Sequence, residues 1–356
     1  MRCLALILAF CLTSWPLAAH AQEVSIGVAA PSSGNFSILG KQLLDGARVA
    51  SEAAEARVTI VEADTGCSAE GGQAAARAFA EHAVSAVVGF LCTDAIEAAL
   101  PLLKEAGIPV VTPGVRTATL TDQRQRSGWP VFRAAPRADA ERDAVADLLV
   151  RRWRREFFAI VDDGTIYGRE LAETLRAAAE LQELKPVFVD TFRPQLDNQI
   201  GLAGRLRRAG ATHVFVGGDR SDIAILARDA KAMDYMLTIA GGEALRAETS
   251  TVPLAAGTLM VGLPQWADVA APEALAALSD AEVVPDGYVL PAFAATQIAL
   301  AAARDARAEE TTVGEALASG TFETALGSLS FDAKGDLSTG FYRLFRFDGE
   351  TFVEAE

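Results

Sequence analysis

Short apolar runs rich in β-branched residues alternate along this chain with longer segments in which apolar positions recur at helical spacing. In the first part of the chain, strands are predicted at residues 24–30, 58–63, 86–90 and 108–113. Helices are predicted between them at residues 41–54, 68–81 and 95–106. Alternating strands and helices are typical of βαβ units, so the pattern predicts a parallel sheet covered by helices.

The alternation stops at a polar stretch, residues 117–128, and then starts again. A second set of strands is predicted at residues 157–163, 186–192, 212–218 and 236–242. We interpret this set as a second copy of the same architecture, because 356 residues with 51% hydrophobic content suggest two lobes rather than one. A helical segment at 288–307 and a strand-like ending at 341–355 could return to either lobe.

The first residues have the pattern of a cleaved signal peptide. Arg2 precedes the apolar run CLALILAFCL (3–12), which is too short for a permanent membrane helix. Ala19-His20-Ala21 has the small-x-small form of a signal-peptidase site. We therefore expect cleavage after Ala21 and export of a soluble chain. Two cysteines, Cys67 and Cys92, would remain; in an oxidising compartment they indicate one disulfide, with two buried free thiols as the alternative.

Composition and missing motifs argue against several classes of function. The formal net charge of −15 argues against nucleic acid as a partner, because nucleic acid selects basic surfaces. His82 and His213 are not in a metal-spaced cluster, and the chain has no G-x-S-x-G elbow, H-E-x-x-H motif or P-loop. We therefore expect no enzyme, metal or cofactor, although a carboxylate pair acting without histidine stays open.

The turns that follow the predicted strands carry small hydroxyl residues and glycines. Ligands of open parallel sheets bind beyond the carboxyl ends of the strands. In GFLCTDA, Thr93 opens a predicted helix whose first-turn N–H groups can bind an anion, and Gly114 and Thr117 lie in the next such turn. Plain helix capping is the alternative at each site. Asp94 would repel an anion, so we expect it to point away.

Two residues in the second half are candidates for ligand contacts. Glu243 follows two glycines at a strand end, where its carboxylate could pair with a ligand ammonium. Tyr167, in DDGTIYG, could lay its ring over a ligand. The alternatives are a solvated loop acid and simple packing against the next helix.

At these turns the sequence resembles the periplasmic substrate-binding proteins of ABC transporters, of the leucine/isoleucine/valine-binding (hydrophobic amino acid) type. The resemblance covers essentially the whole chain after the signal peptide. It implies a type I periplasmic binding protein fold, with two doubly wound α/β lobes joined by a three-crossover hinge. The segments that carry it are VSIGVAAPSSGNFSILGKQLLDGARVA, DTGCSAE with GFLCTDA, GIPVVTPG, IVDDGTIYG, VFVGGD and LGSLSFDAKGDLSTGFYRLFRF. The expected division is signal peptide 1–21, first lobe 22–135 and 264–327, and second lobe 136–263 and 328–356.

The resemblance also implies roles for individual residues. Thr93, with its backbone N–H, matches the residue that receives a ligand carboxylate, and Gly114 matches the backbone position after the proline of the next turn. Tyr167 and Glu243 match the second-lobe tyrosine and the acid that pairs with the ammonium. The Cys67–Cys92 pair matches the family's disulfide.

Three positions depart from the leucine-binding pattern. Leu39 replaces a tyrosine, and Asp219 replaces an aromatic residue. Arg116 replaces a threonine that holds the ammonium, although Thr117 beside it could serve instead. An arginine there would repel an ammonium unless it turns to solvent or meets an extra acid on the ligand.

The function implied is an extracytoplasmic solute-binding component of an ABC-type uptake system in the periplasm. It would capture a branched-chain-like amino acid or a related small polar compound between closing lobes, then dock as a monomer on a membrane permease. A ligand sensor for a receptor or regulator, and a binder of an amide or acidic solute, are the alternatives. A hydrolase of amides or esters is a third hypothesis, which turnover of a bound compound would reveal.

Overall fold

Two α/β sheets organise the computed structural model, which describes residues 23–248 and 251–355. The predicted signal peptide, residues 1–21, lies outside the described residues. Each sheet has a parallel core whose central strands are buried on both faces by helices, as this architecture requires. The predicted fold class of two α/β lobes is confirmed.

The first sheet has five parallel strands in the order β2-β1-β3-β4-β5. Its strands β1 and β3 are largely buried, whereas β2 at the edge alternates between exposed and half-buried positions. The polar stretch 117–128 forms two short helices. The elements of this region are β1 (Glu23–Ala30), α1 (Ser37–Glu52), β2 (Arg57–Asp64), α2 (Ala69–Glu81), β3 (Ala86–Gly89), α3 (Thr93–Glu105), β4 (Val110–Thr112), α4 (Thr119–Asp122), α5 (Arg124–Ser127) and β5 (Val131–Arg133).

The second sheet has seven strands in the order β14-β13-β10-β9-β8-β6-β7. Strands β6 to β10 run parallel, and β13 and β14 add an antiparallel edge. The pattern of the sequence missed β10. The elements are α6 (Ala140–Arg152), β6 (Phe158–Asp162), α7 (Ile166–Leu181), β7 (Phe188–Thr191), α8 (Ile200–Arg208), β8 (His213–Gly217), α9 (Arg220–Ala232), β9 (Thr238–Gly241), a 3-10 turn (Glu243–Arg246), β10 (Leu259–Gly262), β13 (Arg343–Phe347) and β14 (Phe352–Glu354).

Between β10 and β13 the chain returns to the first lobe. Its elements there are α10 (Trp266–Val269), α11 (Pro272–Asp280), α12 (Val289–Ala308), α13 (Val313–Ser319) and a hairpin of β11 (Thr321–Thr324) and β12 (Gly327–Ser330). Helix α12 packs between α1 and the first sheet, where Ala295, Ile298 and Ala299 are fully buried. Among the described helices, neither α12 nor any other is long and apolar enough to cross a membrane.

The chain crosses between the two sheets after β5, after β10 and before β13. The predicted third boundary at 327/328 is wrong, because β12 pairs with β11, and Phe331 and Phe341 are buried in the core of the first lobe. Asp336 bridges Arg133 at the end of β5 and forms a buried ion pair with it. These contacts hold the segment up to Phe341 on the first lobe.

Candidate functional site

The turn between β3 and α3 presents the start of a helix beside a hydroxyl. Cys92 occupies the N-cap position of α3, and its side chain accepts no capping hydrogen bond. The first-turn N–H groups therefore lack a side-chain acceptor. Thr93 is half-buried, and its hydroxyl lies 2.9 Å from the hydroxyl of Thr117. Asp94 is exposed.

A disulfide fixes the position of this turn. Cys67, which precedes α2, is bonded to Cys92, and the two Cα atoms are 5.3 Å apart. The predicted pairing is confirmed. Because the bond joins the turns after β2 and β3, it limits how far the start of α3 can move relative to the rest of the sheet edge.

The next turn, after β4, is held rigidly from two sides. The hydroxyl of Thr112 accepts hydrogen bonds from the N–H groups of Gly114 and Val115, at 3.4 and 3.2 Å. Arg133 donates to the carbonyls of Val115 and Thr117, at 3.3 and 2.7 Å. Gly114 is fully packed, since a Cβ atom there would meet the side chain of Leu91 at 2.3 Å. The backbone of this turn is therefore preorganised.

Arg133 is itself a buried cation with a dedicated partner. Its side chain has no exposed surface, and Nε donates to Asp336 Oδ1 at 2.8 Å. Arg137 donates to the other oxygen of Asp336, also at 2.8 Å. Burial lowers the pKa of Arg133, and the nearby charge of Asp336 opposes that effect. The pair compensates a charge that would otherwise be costly to bury.

Arg116 turns toward the hinge rather than toward solvent. Its Nε donates to the carbonyl of Pro136 at 3.0 Å, and Nη2 donates to the hydroxyl of Tyr342 at 2.6 Å. Pro136 and Tyr342 belong to two different crossovers. Burial raises the pKa of Tyr342 to about 12. The arginine that departs from the leucine-binding pattern therefore ties two hinge segments to the turn after β4.

In the second lobe, Tyr167 belongs to a hydrogen-bond network. Its hydroxyl donates to Glu141 Oε1 at 2.6 Å and accepts from the N–H of Ala244 at 3.3 Å. The same Glu141 oxygen accepts from the N–H of Glu243 at 2.7 Å. Burial raises the pKa of Tyr167 above its usual range, and the Glu141 carboxylate adds to the shift. Glu141, on the first turn of α6, thus organises this side of the site.

Glu243 lies at the start of the 3-10 turn after β9, and both of its oxygens have partners. Oε1 is 2.8 Å from Nε of Arg246, and Oε2 accepts the N–H of Leu263. Arg246 also donates to the carbonyl of Leu263. Burial is the main cause of a raised pKa for Glu243. Its negative charge is therefore already partly neutralised within the lobe.

Glycines make room for this network. A Cβ atom at position 242 would meet Glu141 Oε1 at 2.4 Å and the Tyr167 hydroxyl at 2.5 Å. A Cβ atom at position 262 would meet Glu243 Oε2 at 2.5 Å. Gly242 and Gly262 are therefore required for the two carboxylates to approach the backbone.

Two adjoining cavities lie at the hinge and share Leu263, Trp266 and Gly287. The first has a volume of about 210 Å³ and is mostly apolar, with Gly114 and Arg116 on one wall. The other has about 260 Å³ and contains Glu243 and Arg246. The remaining wall residues of the first cavity are Pro113, Ala134, Ala135, Pro136, Tyr288, Pro291 and Leu326.

The structure brings the sequence-predicted residues together in small groups. Thr93 meets Thr117 in the first lobe, and Tyr167 meets Glu243 through Glu141 in the second. Within residues 23–248 and 251–355, no hydrogen bond or ion pair joins these two groups. Both lie at the carboxyl ends of parallel strands, where ligands of such sheets bind.

The other two departures, Leu39 and Asp219, form no hydrogen bond or ion pair with these groups within the described residues. Leu39 is half-buried near the start of α1. Asp219 is exposed at the N-cap of α9, and its side chain accepts no capping bond. Their binding roles stay predictions.

Sequence reasoning missed Glu141 and Arg246. The sequence around Glu141 gives no sign of a functional role, because acidic residues are common in the first turn of a helix. Arg246 follows Glu243 by three residues, the spacing of an ion pair within one helical turn, and this signal could have indicated it.

Comparisons with known proteins agree with the observed fold. Residues 23–350 match the family model described as "Periplasmic binding protein". The Leu/Ile/Val-binding protein homolog 3 of Brucella melitensis is 28% identical over 349 residues, which cover 94% of each chain.

Solved structures share the fold across 94% of this chain. One, from Rhodospirillum rubrum and assigned to branched-chain amino acid ABC transport, has a TM-score of 0.76 at 20% identity and is covered over its full length. Another is an ABC-transporter solute-binding protein of Rhodopseudomonas palustris HaA2 in complex with p-hydroxybenzoic acid. It has a TM-score of 0.60 at 16% identity, with 96% of that chain covered.

Proposed function

This chain belongs to the periplasmic binding protein family, and we propose that it is the extracytoplasmic solute-binding component of an ABC-type uptake system. The observation that carries the proposal is the turn at Thr93. Two hydroxyls, Thr93 and Thr117, meet beside the uncapped start of α3. A helix N-terminus with convergent hydroxyls suits a small carboxylate, because N–H groups and the helix dipole both favour an anion.

The first candidate solute is an amino acid of the branched-chain type. The Brucella melitensis relative is named for binding leucine, isoleucine and valine. The second lobe offers Glu141, Glu243 and the Tyr167 hydroxyl, a set that suits an ammonium group. Closure of the lobes would desolvate the solute and strengthen charge-assisted hydrogen bonds to both of its ends.

A carboxylic acid without an ammonium is the second candidate, and one observation favours it. Glu243 is paired with Arg246 and with the N–H of Leu263, so an ammonium would have to displace or share these partners. In addition, Arg116 occupies the position of a threonine that holds the ammonium in the leucine-binding pattern. A carboxylic acid with an apolar side chain and no ammonium would need neither an unpaired Glu243 carboxylate nor a threonine at position 116.

The remaining parts of the proposal concern the cell. Cleavage after Ala21 would release the chain into the periplasm as a monomer. The closed form would deliver its solute to a membrane permease without covalent chemistry, so the protein would be a binder and not an enzyme. Turnover of any bound compound would contradict this part.

The experiment is calorimetric titration of the chain from residue 22 onward, stripped of carried-over solute, with L-leucine and with 4-methylpentanoate. Thr93→Ala should weaken binding of the preferred compound by about 1–3 kcal/mol without unfolding the protein, and Glu243→Ala should do the same where that compound is L-leucine. Thr119→Ala and Glu248→Ala remove the same groups from exposed positions and should leave affinity unchanged. Unchanged affinity in both site variants would overturn the site assignment.

A further inference from the structure

One edge of the second lobe is strongly basic, although the chain as a whole has a net charge of −15. This is the edge where the parallel strands β6 to β9 begin and the helices α6 to α9 end, opposite the edge that carries Tyr167 and Glu243. We call this edge the basic edge, after the cations that are exposed on it. The exposed cations of the basic edge are Arg151, Arg152, Arg154, Arg155, Lys185, Arg207, Arg208 and Lys231.

Direct bonds hold the loops of this edge side by side. Arg154 donates to the side chain of Gln182 at 2.8 Å, which joins the loops before β6 and β7. The N–H of Thr212 donates to the carbonyl of Phe157 at 2.7 Å, which joins the loops before β8 and β6. Arg207 donates to the carbonyl of Met233 at 3.0 Å. The cations therefore belong to one continuous surface rather than to scattered loops.

Acids on the same surface do not cancel this charge. The exposed acids of these loops and helix ends are Glu156, Glu180, Glu183 and Asp234, half as many as the cations. Arg151 pairs with Asp147 one helical turn earlier, at 2.6 Å. An exposed pair of this kind is worth little and leaves the arginine available to another anion.

Apolar side chains project from the same loops. Phe157 is 64% exposed, Met236 is 91% exposed and Leu181 is 84% exposed. Phe157 follows the arginine-rich run 151–155 after a single residue, Glu156. Exposed aromatic and aliphatic side chains surrounded by arginine and lysine are typical of surfaces that bind the interface of an anionic bilayer.

We propose that the basic edge binds the surface of a membrane that contains anionic phospholipids. The guanidinium groups would bind headgroup phosphates through paired hydrogen bonds, and Phe157 and Met236 would enter the interface between headgroups. Bound this way, the protein would rest on the membrane with its solute-binding edge facing away. It would then stay close to the membrane while its cleft remains open to solutes.

Vesicle sedimentation tests the proposal with the chain from residue 22 onward. Vesicles of phosphatidylcholine with about one-third phosphatidylglycerol should bind the protein, and pure phosphatidylcholine should not; salt at about 1 M should release it. The triple variant R155E/R208E/K231E should weaken binding about a hundredfold, at about fivefold for each cation removed. F157S/M236S should weaken binding to vesicles while leaving the salt dependence in place.

A matched control distinguishes an effect of the basic edge on vesicle binding from an effect of the overall net charge. R57E/R126E/R307E makes the same change in net charge at exposed arginines of the first lobe, and it should leave vesicle binding within about threefold. Equal losses in the two triple variants, or no binding to phosphatidylglycerol vesicles, would overturn the proposal. So would a concentration-dependent dimer that only the R155E/R208E/K231E variant abolishes, because the edge would then be an interface between copies.

Discussion

The two lobes share one architecture but present opposite chemistry at the edges where we propose that the solute binds. The first lobe offers hydroxyls and backbone N–H groups at Thr93 and Thr117. In the second lobe, carboxylates and a tyrosine meet at Glu141, Glu243 and Tyr167. In both lobes these groups follow buried parallel strands of similar composition. The strands therefore determine where the candidate site lies, whereas the residues of the turns determine which charge it can accept.

The lobes also support their turns differently. In the first lobe, a buried ion pair between Arg133 and Asp336 holds the turn after β4 from beneath. In the second lobe, hydrogen bonds from Tyr167 and the backbone converge on Glu141. Removing one partner of a buried ion pair leaves an uncompensated charge, so the first lobe should be the more sensitive to a single substitution.

Asp336→Ala should have the largest effect. It leaves Arg133 buried without its anion and should lower the free energy of unfolding by about 3–5 kcal/mol. Urea denaturation measures the change. Asp122→Ala is the control, because Asp122 also pairs with Arg137 but is 41% exposed, and its loss should cost about 1 kcal/mol or less. Equal losses of unfolding free energy in the two variants would contradict the expected difference between a buried and an exposed ion pair.

Glu141→Ala should have an intermediate effect. It leaves the Tyr167 hydroxyl and the Glu243 N–H without their acceptor, which should cost about 1–3 kcal/mol of unfolding free energy. Glu170→Ala, at an exposed position in the same lobe, is the matched control and should be nearly neutral. A neutral Glu141→Ala would mean that the network does not organise the second lobe.

The smallest effect should be a difference in pH dependence between the lobes. Burial is the main reason that the pKa of Glu243 is raised above 4.5, so the folded state binds this proton more tightly than the unfolded state. The free energy of unfolding should therefore fall as pH rises from 4.5 through the raised pKa. The pKa of Asp122 is lowered from 3.8 to about 2, mainly by its hydrogen bond from Arg137, so its contribution should be lost as pH falls through that window.

Urea denaturation between about pH 2 and 7 measures both slopes. Glu243→Gln should flatten the decline toward neutral pH, and Asp122→Asn should flatten the loss in acid. The opposite signs assigned to the two groups would be contradicted if both substitutions flattened the same limb of the curve.

The sequence predicted the parts of the molecule that follow from local pattern. Alternating strand and helix periodicity predicted two α/β lobes, and the cysteine content of an exported chain indicated the Cys67–Cys92 bond. Contacts between distant segments could not be predicted in this way. The pairing of Arg133 with Asp336 joins residues 203 positions apart, and it explains why the third boundary was misplaced.

The direction in which a side chain points could not be predicted from the sequence either. The position of Arg116 suggested repulsion of an ammonium, a turn toward solvent or a contact with an acidic ligand. The structure shows instead that Arg116 bonds to Pro136 and Tyr342, which come near it only because two crossovers meet at the hinge. Residue type and local pattern therefore locate a candidate site, while the partners of each charged group depend on the tertiary fold.

Capture of a carboxylate by the first lobe is tested most directly by a thermal-shift comparison on protein stripped of carried-over solute. The compounds are L-leucine, 4-methylpentanoate and L-leucinamide, within a panel of amino acids, dicarboxylates and aromatic acids. A compound at a hundred times its Kd should add about 2.7 kcal/mol of stability, which a melting curve resolves. We expect one of the two leucine-like acids, or another acid of the panel, to raise Tm, and L-leucinamide to leave Tm unchanged. An equal shift with L-leucinamide, or no shift with any carboxylate, would contradict it.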